Sequence, residues 1–400
     1  MKRLFRQGSR KHFAAGALLL ASVIAVAGPG KAAAGTCPAN RISTVDGCAT
    51  RSAVASELTG IIKQNLNQVR LQAVIARVDI AGHRILRRGF GESQEGVPAT
   101  PAMNFRIGSM TIPALTTLVY QLRQRGRLKL SDPVSRWLPN LFRASEVTVR
   151  NLMNNSSGYY DWIQNNPAFQ DEVLADPFRI WSGKELLDTA LARGSACDPG
   201  ACFSYAHTNF LILARIVRRI LPQKNLVTLL NRRVLRPSGI SMNFSRLAPI
   251  PPPALSAFAT DRGIFEESTG WSPSWGLGNG MLATTSIDNV SRIATGVLTG
   301  STLSSWARKD LVKRYAPGLE PTPDRVYFAQ GIIMVNGWRR QNPFFNGYMG
   351  NVAWFPSRRI AISLVGTKGQ STTAPDGTNV TDAILGDMAG YLTPANSPAL

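Results

Sequence analysis

Apolar positions recur along this chain with two different periods. In residues 53–69, Leu58, Ile61, Ile62 and Leu66 fall on one face and predict an amphipathic helix. Leu71–Ile80 and His83–Phe90 read as two strands joined at Gly82, a β-hairpin whose turn leaves His83 exposed. A second helical pattern follows, with Leu115, Leu118, Val119 and Leu122 at i, i+3, i+4 and i+7 and Gly126 at its end. Pro113 is tolerable only in a first turn, so Ser109 falls at or just before the N-terminus of that helix. From Ser131 the pattern becomes helical and loop-rich. Residues 235–260, with Pro249-Ile-Pro-Pro-Pro253, read as an irregular connection. A further helix is expected from Asp288 through Val290, Ile293 and Ala294 to a last turn at Gly300. Strand-like runs close the chain at Val326–Val335 and at Ala353–Val365, the latter across the turn Pro356–Arg359.

The N-terminus has a different character. Lys2, Arg3, Arg6, Arg10 and Lys11 precede an apolar run from Ala14 to Ala27, and Ala32-Ala33-Ala34 offers a small-residue cleavage site. Residues 1–34 therefore read as a secretory signal peptide, with no transmembrane anchor left once it is removed. A periplasmic or secreted protein is expected, and in that setting Cys37 with Cys48 and Cys197 with Cys202 should form two local disulfides. His207 follows Cys202 by five residues, but with no matching second ligand no metal is expected there.

Composition narrows the classes further. The chain has 400 residues, 44% hydrophobic and 17% charged, which excludes a disordered or fibrous protein. Its net charge is +21; without residues 1–34, 39 basic residues remain against 24 acidic ones. Such a surface attracts polyanions, among them anionic cell-envelope polymers. The basic residues are scattered apart from pairs such as Arg218-Arg219 and Arg232-Arg233, and no nucleic-acid-binding signature accompanies them, so no specific nucleic-acid partner is expected.

Ser109 is the first candidate for chemistry. At a helix N-terminus a hydroxyl meets the positive end of the helix dipole and free backbone N–H groups, which suits a nucleophile; the same position also suits an ordinary N-cap. The surrounding stretch, Phe105-Arg-Ile-Gly-Ser-Met-Thr-Ile112 and then Gly126-Arg-Leu-Lys-Leu-Ser-Asp-Pro-Val-Ser-Arg-Trp-Leu-Pro139, resembles the serine β-lactamase, penicillin-binding protein and DD-peptidase superfamily, in its class C β-lactamase and esterase branch. There the motif is S-x-x-K, with a serine that is acylated and a lysine that helps remove its proton. Here Ile112 occupies the lysine position.

The resemblance continues. Val147–Asp161 is similar to the family's threonine, helix turn and Thr-Ser-Gly wall, with Gly158 in the tight turn; Ser156 and Ser157 read as turn and capping residues. Phe203-Ser-Tyr-Ala-His-Thr-Asn209 resembles the Y-x-N segment: Tyr205 matches the tyrosine, His207 replaces the asparagine, and Asn209 matches a second, structural one. Trp275–Asp288 resembles a glycine turn before a helix at Thr-x-x-Asp. The family's third motif carries Lys-Thr-Gly, His-Thr-Gly or an aromatic-Gly-Gly version. Here Phe344-Phe345-Asn346 or Phe345-Asn346-Gly347 stands there, with neither cation nor histidine, and these four residues are the candidate substrate-binding set.

The implied fold class is α+β: an antiparallel β-sheet flanked by helices, from about residues 50–140 and 290–390. A mostly helical lobe, about residues 140–290, is inserted, and residues 35–400 form one such domain. The implied site is Ser109, Tyr205 and His207 in a cleft that takes a small-molecule, peptide or ester ligand, without a cofactor. Since an unassisted serine is a weak nucleophile, the swap to Ile112 implies a catalytically impaired protein, a pseudoenzyme. The alternative is an active esterase- or DD-peptidase-like hydrolase that uses Tyr205 and His207 as base.

Overall fold

A computed structural model describes residues 37–222, 225–278, 281–315, 319, 325–373 and 379–398; the expected signal peptide lies outside them. Its centre is a nine-stranded antiparallel sheet: β1 (Leu71–Ile80), β2 (His83–Gln94), β3 (Val97–Pro98), β4 (Val326–Phe328), β5 (Ile333–Val335), β6 (Trp338–Gln341), β7 (Phe344–Phe345), β8 (Tyr348–Phe355) and β9 (Ile360–Lys368). The order across it is β4-β5-β6-β8-β9-β1-β2-β3, with β7 pairing β8 beyond β6. The N-terminal hairpin thus joins the C-terminal one at β1–β9, in a register that sets Ala76 against Leu364.

Both faces of the central strands are apolar, so both must be covered. Val74, Ala76 and Val78 face one side with Ile362 and Leu364. There they meet α1 (Arg51–Val69) through Val54, Leu58 and Ile62, and a C-terminal helix (Thr381–Leu392) through Ile384, Leu385 and Met388. Thr50 caps α1 by accepting from Ala53 N at 3.2 Å, and Asn65 donates to Asp387 at 2.8 Å to tie the two helices. Ala73, Ile75, Val352 and Val365 face the other side, where α2 (Ile112–Gln124) and the helices of residues 149–235 pack. Helix α3 (His207–Ile220) runs against α2 in that layer and buries all its side chains but four polar ones, His207, Arg215, Arg218 and Arg219.

Two expected boundaries move. The run Val326–Val335 is split into β4 and β5, because Gly331 adopts φ +79° and its N–H donates to Met153 O at 2.9 Å. The helix after Asp288 is regular only over Ile287–Arg292 and then widens through Ile293–Val297. Both expected disulfides form, Cys37–Cys48 and Cys197–Cys202, with Cα separations of 5.6 and 6.2 Å. Among the described residues no helix is long and apolar enough to cross a membrane.

Asp288, at the start of Ile287–Arg292, locks that helix to the sheet. It accepts from Arg87 of β2 at 2.8 and 2.9 Å and from Arg77 of β1 at 2.9 Å, and Arg77 also grips Asp79. The Arg87 hydrogen bonds, followed by those of Arg77, hold the Asp288 carboxyl down at about 2, against a burial that would raise it. A carboxylate with a depressed folded pKa contributes stability that is complete above its unfolded value and disappears as pH falls through the folded one. Asp288→Asn should therefore lower the unfolding free energy at pH 7 by about 2 kcal/mol. The gap should close between about pH 4 and pH 2, which denaturant titrations of both proteins at pH 7 and pH 2.5 would measure.

Candidate active site

Ser109 is presented by a short strand that has its own anchor. Phe105 and Arg106 pair with Thr285 and Thr284, and Ile107 N donates to Ala283 O at 3.1 Å. The Arg106 guanidinium is buried and fans out to three carbonyls, of Ala248 and Thr269 at 2.7 Å and of Trp271 at 3.1 Å. Burial pushes its pKa down to about 10, and it remains a cation at neutral pH. One side chain thus binds segment 248–271, which has only the short pair Phe258–Ala259 with Glu266–Glu267 as regular structure, to the strand leading into the serine.

Gly108 then makes the bend. Its φ is +48°, and an added Cβ would lie 2.6 Å from Pro343 Cβ, so the backbone turns against β7 where a larger residue does not fit. A tight turn over Gly108–Thr111 carries Ser109, half-exposed, before α2 begins at Ile112 with Pro113 in its first turn.

The facing wall is built from the loop at residues 155–161. Asn155, with φ +58°, holds the Tyr205 segment from both sides: Ser204 N donates to its carbonyl at 2.8 Å and Ala206 N to its side chain at 3.2 Å. Asn209 donates to the same Asn155 oxygen at 2.8 Å and accepts from Ser157 Oγ at 2.6 Å. Ser156 bonds Asn154 and Asn151, so both serines are structural. Gly158 is mandatory, since a Cβ there would sit 2.1 Å from Cys197 O; the Cys197–Cys202 loop lies directly against the turn. Tyr205, positioned in this way, sits beside Ser109, near enough for the two hydroxyls to influence one another. Burial, and then the nearby Asp161 charge, push the phenol pKa above its usual value, so Tyr205 keeps its proton at neutral pH.

Asp161 is the residue that sequence reasoning missed. It is almost wholly buried and saturated with donors: Ile163 N at 2.8 Å, Gln164 N at 2.9 Å, His207 N, and His207 Nδ1 at 2.9 Å. Burial alone would raise its pKa, but the His207 charge and these hydrogen bonds bring it below the usual carboxylate value. Asp161 therefore serves two ends at once, as a cap for α3, whose own N-cap Ala206 has no side-chain acceptor, and as the orienting partner of the imidazole. The His207 ring lies edge-on to Tyr205 at 5.2 Å and tilted against Trp162 at 5.8 Å. Among the described residues no amine or imidazole is hydrogen-bonded to the Ser109 hydroxyl.

Ile112 is 0% exposed and belongs to the core cluster of α2. It packs under the Gly331 turn, where a Cβ would come within 3.1 Å of Ile112 Cγ2 and 2.6 Å of Thr116 Cγ2. Of the third-motif residues, Phe345 faces the serine: it is 5% exposed, lies against Gly108 and Gly276, and its ring is 4.6 Å from that of Trp275. Phe344 points to the opposite side of the sheet, where Lys368 Nζ sits 5.7 Å from its ring. Asn346 and Gly347, with φ of +45° and +82°, form the hairpin turn between β7 and β8. The Asn346 carbonyl accepts from Ser268 at 2.8 Å, while its buried side-chain amide nitrogen has no partner. Phe203, Tyr205 and Phe328 pack ring to ring at 5.9 Å on the other flank. The surroundings of Ser109 are thus aromatic on two sides, with a phenol and an aspartate-held imidazole beside the serine.

Comparison with known proteins bears on the family and the fold. The Beta-lactamase family model matches residues 58–385. An esterase of Burkholderia gladioli is 33% identical over 120 residues, 28% of this chain and 31% of that protein. A penicillin-binding protein of Bacillus subtilis is 27% identical over 136 residues, 33% of this chain and 28% of that protein. The chain thus matches about a third of the length of these relatives. Among solved structures, a D-stereospecific amidohydrolase from a Streptomyces species superposes with a TM-score of 0.72 at 19% identity, over 84% of this chain and 98% of that one. A D-amino acid amidase from Ochrobactrum anthropi gives 0.72 and 19%, over 83% and 97%. At that identity these structures share the fold. With the family model spanning most of its length, this chain belongs to the β-lactamase family of serine-hydrolase folds.

Proposed function

We propose that this chain is an exported member of the family that keeps the serine cleft as a ligand pocket and is impaired in acyl transfer. One observation carries the reading: the side chain where the serine's base belongs is Ile112, sealed in the core. Removing a general base costs on the order of 10²–10⁴ in rate, and more where the catalytic groups act as a unit. Tyr205 is a poor replacement, because burial raises its phenol pKa and a phenol that keeps its proton is not a base. The walls support a ligand with an uncharged aromatic or aliphatic group, small molecule, peptide or ester, since Phe345 stands where a cation would meet a carboxylate. Similar chains named esterase and D-amino acid amidase are consistent with ligands of that kind. Export is supported by the basic and apolar residues 2–27, the alanines at 32–34 and the two disulfides.

Intact-mass spectrometry after incubation with a fluorophosphonate or benzylpenicillin tests the reading. The expected result is at most a slow, partial adduct; a rapid stoichiometric adduct that Ser109→Ala abolishes would overturn it. Ile112→Lys should leave nitrocefin turnover at the parent's level, because the third motif still lacks its cation. The same variant should lose about 2 kcal/mol of stability from an ammonium placed in apolar packing. Robust nitrocefin hydrolysis by Ile112→Lys would show that the lysine alone was missing.

The Asp161–His207 pair favours a second reading, a rewired hydrolase. An imidazole whose Nδ1–H is held by a buried carboxylate has its other nitrogen free to accept a proton. On this reading p-nitrophenyl acetate turnover by the parent, above the Ser109→Ala background, falls at least about 100-fold in both His207→Ala and Asp161→Asn. Under the impaired reading the parent itself stays at that background.

A further inference from the structure

Arginines that the sequence scatters in pairs are gathered by the fold at one end of the helical layer. From residue 199 to residue 260 the chain contains no Asp or Glu, while Arg215, Arg218, Arg219, Arg232, Arg233, Arg236 and Arg246 all fall within that stretch. Arg218 and Arg219 sit in the last turn of α3, Arg125 and Arg127 follow the end of α2, and Arg232 and Arg233 lie in the turn Asn231–Leu235. Direct contacts join the three places. Gln121 donates to Arg233 O at 2.9 Å, and Arg127 reaches Ile220 O at 3.5 Å. Burial, then Arg125 and Arg232, lower the pKa of Arg233, whose Nη1 is buried without a partner.

Acidic groups that could neutralise the cluster are already engaged. Asp310 binds Arg123, Tyr120 and Tyr315, and Asp188, which acts on Arg215, is held by Lys184 at 2.6 Å. Among the described residues none of the six arginines at the three helix ends forms an ion pair.

We propose that this arginine cluster docks an extended phosphodiester polyanion. The proposal is independent of whether Ser109 reacts. Guanidinium groups present paired N–H donors that match phosphate oxygens, and a set of them with no internal counter-charge gains most from a partner carrying a row of anions. A bilayer would need an apolar wedge as well. Trp306, 46% exposed, has Arg123 stacked over its ring at 4.8 Å, and the other exposed large apolar side chains, such as Phe178, Ile180 and Leu247, lie outside α2, α3 and residues 231–236. The aromatic rings of those segments, Tyr120 and Phe210, are buried and cannot stack on bases, which favours a polymer read by its phosphates alone.

Binding of poly(glycerol phosphate) to the full chain, measured by calorimetry at 50 and 200 mM NaCl, tests this. The parent should bind and weaken at least about tenfold between the two salts, as multiple phosphate contacts demand. The triple variant Arg218→Gln, Arg219→Gln, Arg232→Gln should lose about tenfold at 50 mM and show a shallower salt dependence. The triple Arg51→Gln, Lys63→Gln, Arg84→Gln, on α1 and β2 and equal in charge removed, should stay within about threefold of the parent. All six positions are exposed, and Arg219→Gln alone serves as a milder variant if the first triple is unstable. Equal losses in the two triples would mean net charge only and overturn the proposal. So would a parent that ignores the polymer, or one that binds phosphatidylglycerol vesicles instead.

Discussion

The pairing of β1 with β9 is the constraint on which the rest of the molecule depends. It joins a strand near the start of the described chain to one near its end, and every other element is placed by reference to that ladder. Its two faces are equally apolar. One face requires α1 and the C-terminal helix; the other requires α2, and with α2 comes Ser109. Burial at roughly 25 cal/mol per Å² over such a doubly covered sheet dominates the stability. The geometry of the cleft is therefore maintained by packing that makes no demand on catalysis. The Asp288 lock and the Arg106 fan act on the same principle, fixing elements to the sheet and to the serine strand from behind the cleft.

This separation explains how the site's shape is independent of which residue stands at position 112. Gly108 is required by the approach of Pro343, Gly158 by Cys197, and Asn155 by the Tyr205 segment; none of these requirements involves the proton of Ser109. Ile112, by contrast, contributes a full apolar side chain to the α2 core and presses on the Gly331 turn. A lysine there would have to reach out of the same packing with its charge satisfied. The isoleucine fills the packing at the first turn of α2 and offers no proton acceptor there. Fold and activity are separable properties, and here the residues that serve each can be named.

Much of this was legible in the chain itself. The hairpin, the first two helices and the serine turn follow from short-range periodicity, which needs no partner to be recognised. Tyr205, Asn209 and Phe345 were legible through motif resemblance. Asp161 was not: its partner His207 is far along the chain, and an aspartate after two tyrosines carries no local signature of burial. The same holds for the split of Val326–Val335, decided by a donor to Met153 in another layer, and for Phe344, whose direction is set by a two-residue strand that periodicity cannot phase. Arginine pairs looked scattered because the contacts that assemble them run between α2, α3 and the Asn231–Leu235 turn.

Helix α3 links the two halves of this picture. Asp161 closes its N-terminus and holds His207, while Arg218 and Arg219 end it, so negative charge meets the positive pole and positive charge the negative one. Fourteen residues at 1.5 Å each separate those ends by about 20 Å. That exceeds the screening length of roughly 8 Å at physiological salt. A polyanion held at the arginine end, screened by solvent on its outer side, would act only weakly on charge at the other end of the helix. Coupling between the two sites would therefore have to be mechanical, through a helix whose buried face is continuous with the core, and a rod packed along its length resists such a displacement.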